Sequence, residues 1–246
     1  MKEQPIRPAA TVILVRHALP QYEILMLKRT TSAAFAGGMY VFPGGRVDES
    51  DYLTDYEKHM VPLTPDQVYQ KEALGDHWLG CWVAAIRETF EESGLLLAYD
   101  EQGQEINNQS QRVSDYRQQL RGNDLQIDTI CDREGWLLAT DQIHFYNRWV
   151  TPPGRPRRFD TRFFIGAAPD RQRELHDGEE TTDSIWVSPT EALDQNKQGN
   201  FAMMAVTIKQ LQDINQYKDS ASLLSMAKSS RNFPHYRPDG TARQGA

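Results

Sequence analysis

Glu88, Glu91 and Glu92 stand close together in the chain. On an α-helix they fall at i, i+3 and i+4, so they share one face. Three carboxylates so placed repel one another and raise one another's pKa, and the arrangement is favoured only when cations sit between them. Hard oxygen donors at this density suit Mg2+ or Mn2+. The plainer alternative is a solvated acidic helix face. Three neighbours argue against it. Arg87 precedes the first glutamate and Gly94 follows the last. Upstream, Phe42-Pro43-Gly44-Gly45 turns the chain where a backbone carbonyl can approach a metal, because glycine has no side chain in the way.

The surrounding pattern must place these groups. Ala9 to Val15 and Ile24 to Leu27 read as two strands, separated by Pro20 and polar neighbours. Met39 to Gly45 reads as a strand running into a glycine turn. Thr64-Pro65-Asp66-Gln67 has the form of a helix start, with Gly75 as its stop. Asp76 is expected to cap the glutamate helix, which runs from His77 to Ser93 and ends at a left-handed Gly94. Residues 112–121 read as a short helix. His144 to Val150 and Arg158 to Ala167 read as a hairpin around Thr151-Pro-Pro-Gly154. Trp186-Val187 ends another strand, and Ser188 opens a helix. Residues 200–227 read as helical, and a frayed tail is expected over 229–246. These elements predict an α/β fold: a mixed sheet between helices, one domain over residues 1–228.

The bulk composition limits the function. A formal net charge of -7 argues against a duplex nucleic-acid binder. It does not exclude a nucleotide substrate, since a metal offsets charge locally. The two cysteines, Cys81 and Cys131, show no zinc-site spacing and fit a reducing compartment. The apolar run near the start is too short for a membrane span, and a cytoplasmic location is expected. A small-molecule partner is expected, and a homodimer is left open.

Arg87-Glu88-x-x-Glu91-Glu92-x-Gly94-Leu95, with Gly45 as its leading glycine, is similar to the Nudix box. The resemblance covers roughly residues 9–195. It implies an α/β/α Nudix sandwich and a metal-dependent hydrolase of pyrophosphates in nucleoside-diphosphate-linked metabolites. Glu88, Glu91, Glu92 and the Gly45 carbonyl would hold Mg2+ or Mn2+, and Arg87 would orient the cluster. The base would be one of these glutamates or Glu180, which with Glu179 lies in a loop before Trp186; a solvated acidic turn is the alternative there. Two departures stand out. Asp51 occupies the position of a box glutamate, where it would orient the cluster through Arg87, and residues 52–86 intervene where the box leaves seven residues. A helical insertion at about 52–80 is therefore expected, with its helix near the metal-site entrance and its apolar residues, Val68 and Tyr69 among them, buried against the core, a bound acyl or pantetheine arm, or a second subunit. Such an interrupted box resembles a coenzyme A diphosphatase branch, whose products would be 3',5'-ADP and (acyl-)phosphopantetheine. Leu25-Met-Leu-Lys-Arg29-Thr30, leading to Gly38 and Phe42-Pro-Gly-Gly45, partly matches a coenzyme A stretch, although Ala34 stands where its second arginine would be. The remaining alternatives are ADP-ribose, NADH or dinucleoside polyphosphate hydrolysis, or a nucleotide-sensing module without turnover. Arg29, Arg158 and Arg162 are the candidate phosphate-binding residues. Strand alternation puts Arg158 and Arg162 on one face with Asp160, where ion pairing is the competing role.

Overall fold

Alternating side chains along the first strand set the architecture. In β1 (Ile6–Arg16), Ala10, Val12 and Leu14 enter one apolar core, while Ile13 and Val15 enter another on the opposite face. A strand buried on both faces reads as a near-continuous apolar run, as this one does. The computed structural model describes residues 4–33, 36–175, 181–236 and 242–243. After β1 come β2 (Glu23–Arg29), β3 (Tyr40–Val41) and β4 (Gly44–Arg46). The helices α1 (Tyr56–His59), α2 (Pro65–Leu74) and α3 (Trp78–Ser93) follow. Next are β5 (Ala98–Tyr99), α4 (Gln111–Arg121), α5 (Ile127–Glu134) and β6 (Leu137–Leu138). The chain continues with β7 (Ile143–Val150), β8 (Arg158–Ala167) and β9 (Thr181–Val187). It then forms α6 (Pro189–Lys197), α7 (Ala205–Ile214), α8 (Ser220–Ser229), β10 (His235–Tyr236) and β11 (Ala242–Arg243).

Among the described residues the main sheet is mixed and nine-stranded. β1 runs parallel to β8, from Ile6 opposite Arg158 to Val15 opposite Ala167. On its other side, β1 pairs antiparallel with β4 near its start and with β2 near its end. β2 also pairs with β3 and β9. Helices α3, α4 and α5 contribute to the core on one face, and α6, α7 and α8 to the core on the other. The expected α/β/α sandwich is what forms. No helix among the described residues is long and apolar enough to cross a membrane.

The departures from expectation have local causes. His77, not Asp76, is the N-cap of α3, because a 3-10 turn over Gly75–His77 precedes it. The expected helix over 200–227 is two: Asn215 caps α7, and Asp219 opens α8 by reciprocal bonds with Ser222. Helix α5 escaped the sequence pattern. The tail is not frayed over residues 230–236. Phe233 is buried and stacks on Phe145, Tyr236 stacks on Trp149, and β10 extends the sheet beside β7.

The insertion helix α2 is also placed differently. Its contacts are with β7, α8 and the start of α3, away from the glutamates at the other end of α3. Val68 and Tyr69, expected to be covered, are exposed, while Gln67 and Gln70 are fully buried. The glutamines are inside because they bond backbone that would otherwise lack partners. Gln67 Nε2 donates to the carbonyls of Thr140 and Ile143. Gln70 Oε1 accepts from Phe145 N at 2.8 Å, and its Nε2 donates to Ala227 O at 3.2 Å. Gln70→Leu is therefore predicted to cost about 2–4 kcal/mol, since it strands a buried amide and a carbonyl. Urea denaturation should show the loss with turnover of the remaining folded protein unchanged. A loss below about 0.5 kcal/mol, within the range of ordinary surface substitutions, would mean α2 is not anchored this way.

Candidate active site

Helix α3 carries the site because its apolar side is locked in the core. Trp82, Val83, Ala85, Ile86 and Phe90 are all buried. Its end is fixed by Gly94, at φ 75, whose N–H returns to Phe90 O at 2.9 Å. The left-handed conformation needs glycine. The other side of the helix presents Arg87, Glu88, Glu91 and Glu92 toward β4.

Arg87 organises the cluster. Only 6% exposed, it forks onto Asp51 through Nε at 2.7 Å and Nη2 at 2.9 Å. Nη2 also donates to Arg46 O at 3.0 Å. Nη1 donates to Glu88 Oε1 and Glu91 Oε1, each at 3.0 Å. A planar guanidinium can satisfy these partners together, and an ammonium cannot. Asp51 itself is 0% exposed and accepts from Asp48 N at 2.8 Å. Asp48 Oδ2 lies 3.7 Å from Arg87 Nη2. The shortened box residue thus reaches the arginine because a turn at Asp48 carries it inward.

Glycines bring β4 against the carboxylates. A Cβ on Gly45 would lie 2.4 Å from Glu88 Cδ and 2.5 Å from both its oxygens. At Gly44, with φ 149, a Cβ would fall 2.4 Å from Ala10 O. Gly44 N donates to Glu92 Oε2 at 3.0 Å, and Arg29 Nη1 stands 3.4 Å from Glu92 Oε1. Among the described residues no three His, Cys, Asp or Glu side chains converge as a ready cation cage. Glu88 and Glu91 lean on Arg87, and Glu92 leans on Gly44 and Arg29. The donor set still fits a hard cation: the missing Gly45 side chain lets the Glu88 carboxylate close on the backbone of the turn, with Glu91 and Glu92 beside it on the same helix.

Burial pushes the Glu88 carboxyl up to about 7, and the Glu91 charge adds to the rise while Arg87 opposes it. Burial likewise raises Glu91, against Arg87. A raised carboxyl favours the folded state below the ordinary glutamate pKa and loses that advantage as pH rises through about 7. Two results follow for the metal-free protein. Glu88→Gln should gain stability over wild type as pH rises from 5 to 8, by up to about 3 kcal/mol. A cation held by Glu88 would have to displace its proton, so Mn2+ affinity of wild type should then fall below pH 7. A Mn2+ affinity flat from pH 5.5 to 8 would contradict this.

The structure therefore brings together Arg29, Gly45, Asp51, Arg87, Glu88, Glu91 and Glu92. It does not put Arg158 and Arg162 on an open phosphate-binding face. Both are buried, and Arg162 lies close to Cys81 of α3 and to Tyr52. Arg158 Nε donates to Thr151 O, and Arg162 Nη1 lies 3.0 Å from Asp160 Oδ2. Asp160 is shared with Arg148, so ion pairing is the observed engagement of Arg162. Glu179 and Glu180 lie outside the described residues, as does Ala34. Sequence reading missed Asp48. The D-x-x-D spacing of Asp48 and Asp51, a capping-box form, was the available signal.

The family described as the NUDT19 Nudix domain matches residues 60–214. The chain is 28% identical over 209 residues to the acyl-coenzyme A diphosphatase NUDT19 of Xenopus laevis, covering 72% of this chain and 55% of that protein. It is 27% identical over 213 residues to the putative nudix hydrolase 7 of Caenorhabditis elegans, covering 87% and 62%. The chain thus spans little more than half the length of these curated relatives. A crystal structure of a NUDIX hydrolase from Alicyclobacillus acidocaldarius superposes with a TM-score of 0.76 at 25% identity, covering 90% of this chain and 96% of that one. The glutamate helix, the glycine turn facing it and a domain match across most of the chain agree: this protein belongs to the Nudix hydrolases, in the NUDT19 Nudix-domain branch.

Proposed function

We propose that the chain hydrolyses the pyrophosphate of coenzyme A or an acyl-coenzyme A with Mg2+ or Mn2+, giving 3',5'-ADP and (acyl-)phosphopantetheine. The observation that carries the reading is the carboxylate cluster on α3, held by the Arg87–Asp51 fork beside Gly45. The coenzyme A choice rests on the named activity of the Xenopus laevis relative and on the partial motif from Leu25 to Gly45.

Glu88, Glu91, Glu92 and the Gly45 carbonyl would hold the cation. When bound, it offsets charge on phosphoryl oxygens and lowers the pKa of water. Arg87 keeps the carboxylates in one orientation, so little reorganisation is needed as charge develops. Arg29 has 20% of its side chain exposed beside Glu92, where a guanidinium can hydrogen-bond a phosphate oxygen. Water forms a new bond to one phosphorus while the bridging P–O bond breaks, and its proton passes to a carboxylate. One of the α3 glutamates would accept that proton. Glu180 is the alternative base.

A metal-supplemented panel of coenzyme A, acyl-coenzyme A, ADP-ribose, NADH and dinucleoside polyphosphates tests this reading. The highest kcat/KM is expected for coenzyme A or its acyl esters. A higher value for any other member would replace the substrate, and no turnover on the whole panel would favour a nucleotide sensor.

A further inference from the structure

The last carbonyls of an α-helix have no partner within the helix. In α3 they belong to the turn that carries Glu91 and Glu92, and each is met from outside. Glu91 O accepts from Arg117 Nε at 3.0 Å. Glu92 O faces Thr181 Oγ1 at 3.5 Å, and Ser93 O accepts from Leu175 N at 2.7 Å. Gly94 O accepts from Asn108 Nδ2 at 2.9 Å. These donors come from separate parts of the chain. Arg117 is the charged one.

Its position is unusual for an arginine. Val113, Arg117 and Leu120 fall at i, i+4 and i+7, one stripe of α4, and Val113 and Leu120 are buried. An apolar residue would suit the middle of such a stripe. The need for charge comes from α3: its last turn holds acidic residues and no basic one. Carboxylates at the negative end of a helix are unfavourable, and a cation there is favourable. Gly94 leaves the space. A Cβ there would sit 3.0 Å from Arg117 Nη1.

We propose that Arg117 is a positioning residue for the metal-binding carboxylates: by holding the Glu91 carbonyl at the end of α3, it fixes the turn that carries Glu91 and Glu92. This rests on the metal-dependent reading above. Arg117→Met, Arg117→Lys and the control Arg112→Met should be compared by amide hydrogen exchange and by Mn2+ titration of the full chain. Arg112 lies on the same helix, pairs with Glu134, and has 66% of its side chain exposed. In Arg117→Met, exchange at Phe90 to Gly94 should speed up about 10-fold or more, the scale of a lost charged hydrogen bond. Its Mn2+ Kd should rise about 5-fold or more, within the effect of that same loss. Arg117→Lys, able to reach a terminal carbonyl with its own cation, should return to within about 3-fold of wild type. Arg112→Met should match wild type. If Arg117→Met binds Mn2+ as wild type does, whether or not exchange changes, the positioning role is overturned. If Arg117→Met fails to fold, the lysine variant decides: a Kd raised as far as 10-fold or more overturns the account of charge at the helix end. Wild type that takes up no Mn2+ at all would instead defeat the metal-dependent reading itself.

Discussion

Glu92→Gln is expected to lower kcat by about 10^2-fold or more with Mg2+ saturating, the scale of lost transition-state electrostatics. Glu92 is 4% exposed and accepts from Gly44 N, with Arg29 beside it. Glutamine keeps the shape and one oxygen for Gly44 N, so the turn at β4 should survive. What it loses is the charge that would hold a cation against the glycine turn. Glu91→Gln should act similarly, since Glu91 shares Arg87 Nη1 with Glu88. Neither variant should cost more than about 1 kcal/mol of stability, because relief of like-charge repulsion offsets the lost pairing. Circular dichroism melts alongside steady-state kinetics would separate the two effects. Near-wild-type kcat in both variants would remove the metal role from α3.

The second large effect is on stability. Arg87→Met should destabilise the protein by about 3–5 kcal/mol, because it leaves Asp51 as a buried carboxylate without its partner. Arg87→Lys should rescue only part of this, since one ammonium cannot fork onto Asp51 and also bridge Glu88 and Glu91. Arg87→Met combined with Asp51→Asn should recover stability without recovering turnover. Asp51→Asn alone should slow turnover less than Glu91→Gln, because Asp51 acts through Arg87. Urea denaturation of the set tests this. A loss below about 1 kcal/mol in Arg87→Met would show that the fork contributes little, as for an exposed ion pair.

Legibility in the sequence followed the physical range of each signal. The glutamate face, Gly94 and the capping box at Thr64 are local, and each formed where the pattern put it. So did β1, β2, β7 and β8, whose apolar runs report burial directly. The reach of Asp51 to Arg87 spans the insertion, and it was legible only through resemblance. Signals that depend on tertiary partners were not legible. Val68 and Tyr69 were expected to be covered and are exposed, while the polar Gln67 and Gln70 are buried, because backbone hydrogen-bond partners in β7 and α8 decide that face. Arg158 and Arg162 alternated correctly along β8, but alternation does not say that their side is buried. The tail was expected to be frayed, and Phe233 and Tyr236 hold its first part by stacking on β7 residues distant in sequence. Arg117 gave a weak sign, a charge inside an apolar stripe, whose meaning required the end of α3.

The central claim, that the α3 carboxylates serve a metal-dependent cleavage of a coenzyme A pyrophosphate, is tested most directly by product identification. Wild type would be incubated with coenzyme A and Mg2+, and the products resolved by mass spectrometry, with and without EDTA. Equal amounts of 3',5'-ADP and phosphopantetheine, abolished by EDTA, are predicted. Release of inorganic phosphate with dephospho-coenzyme A, or the predicted products at an undiminished rate in EDTA, would contradict the account.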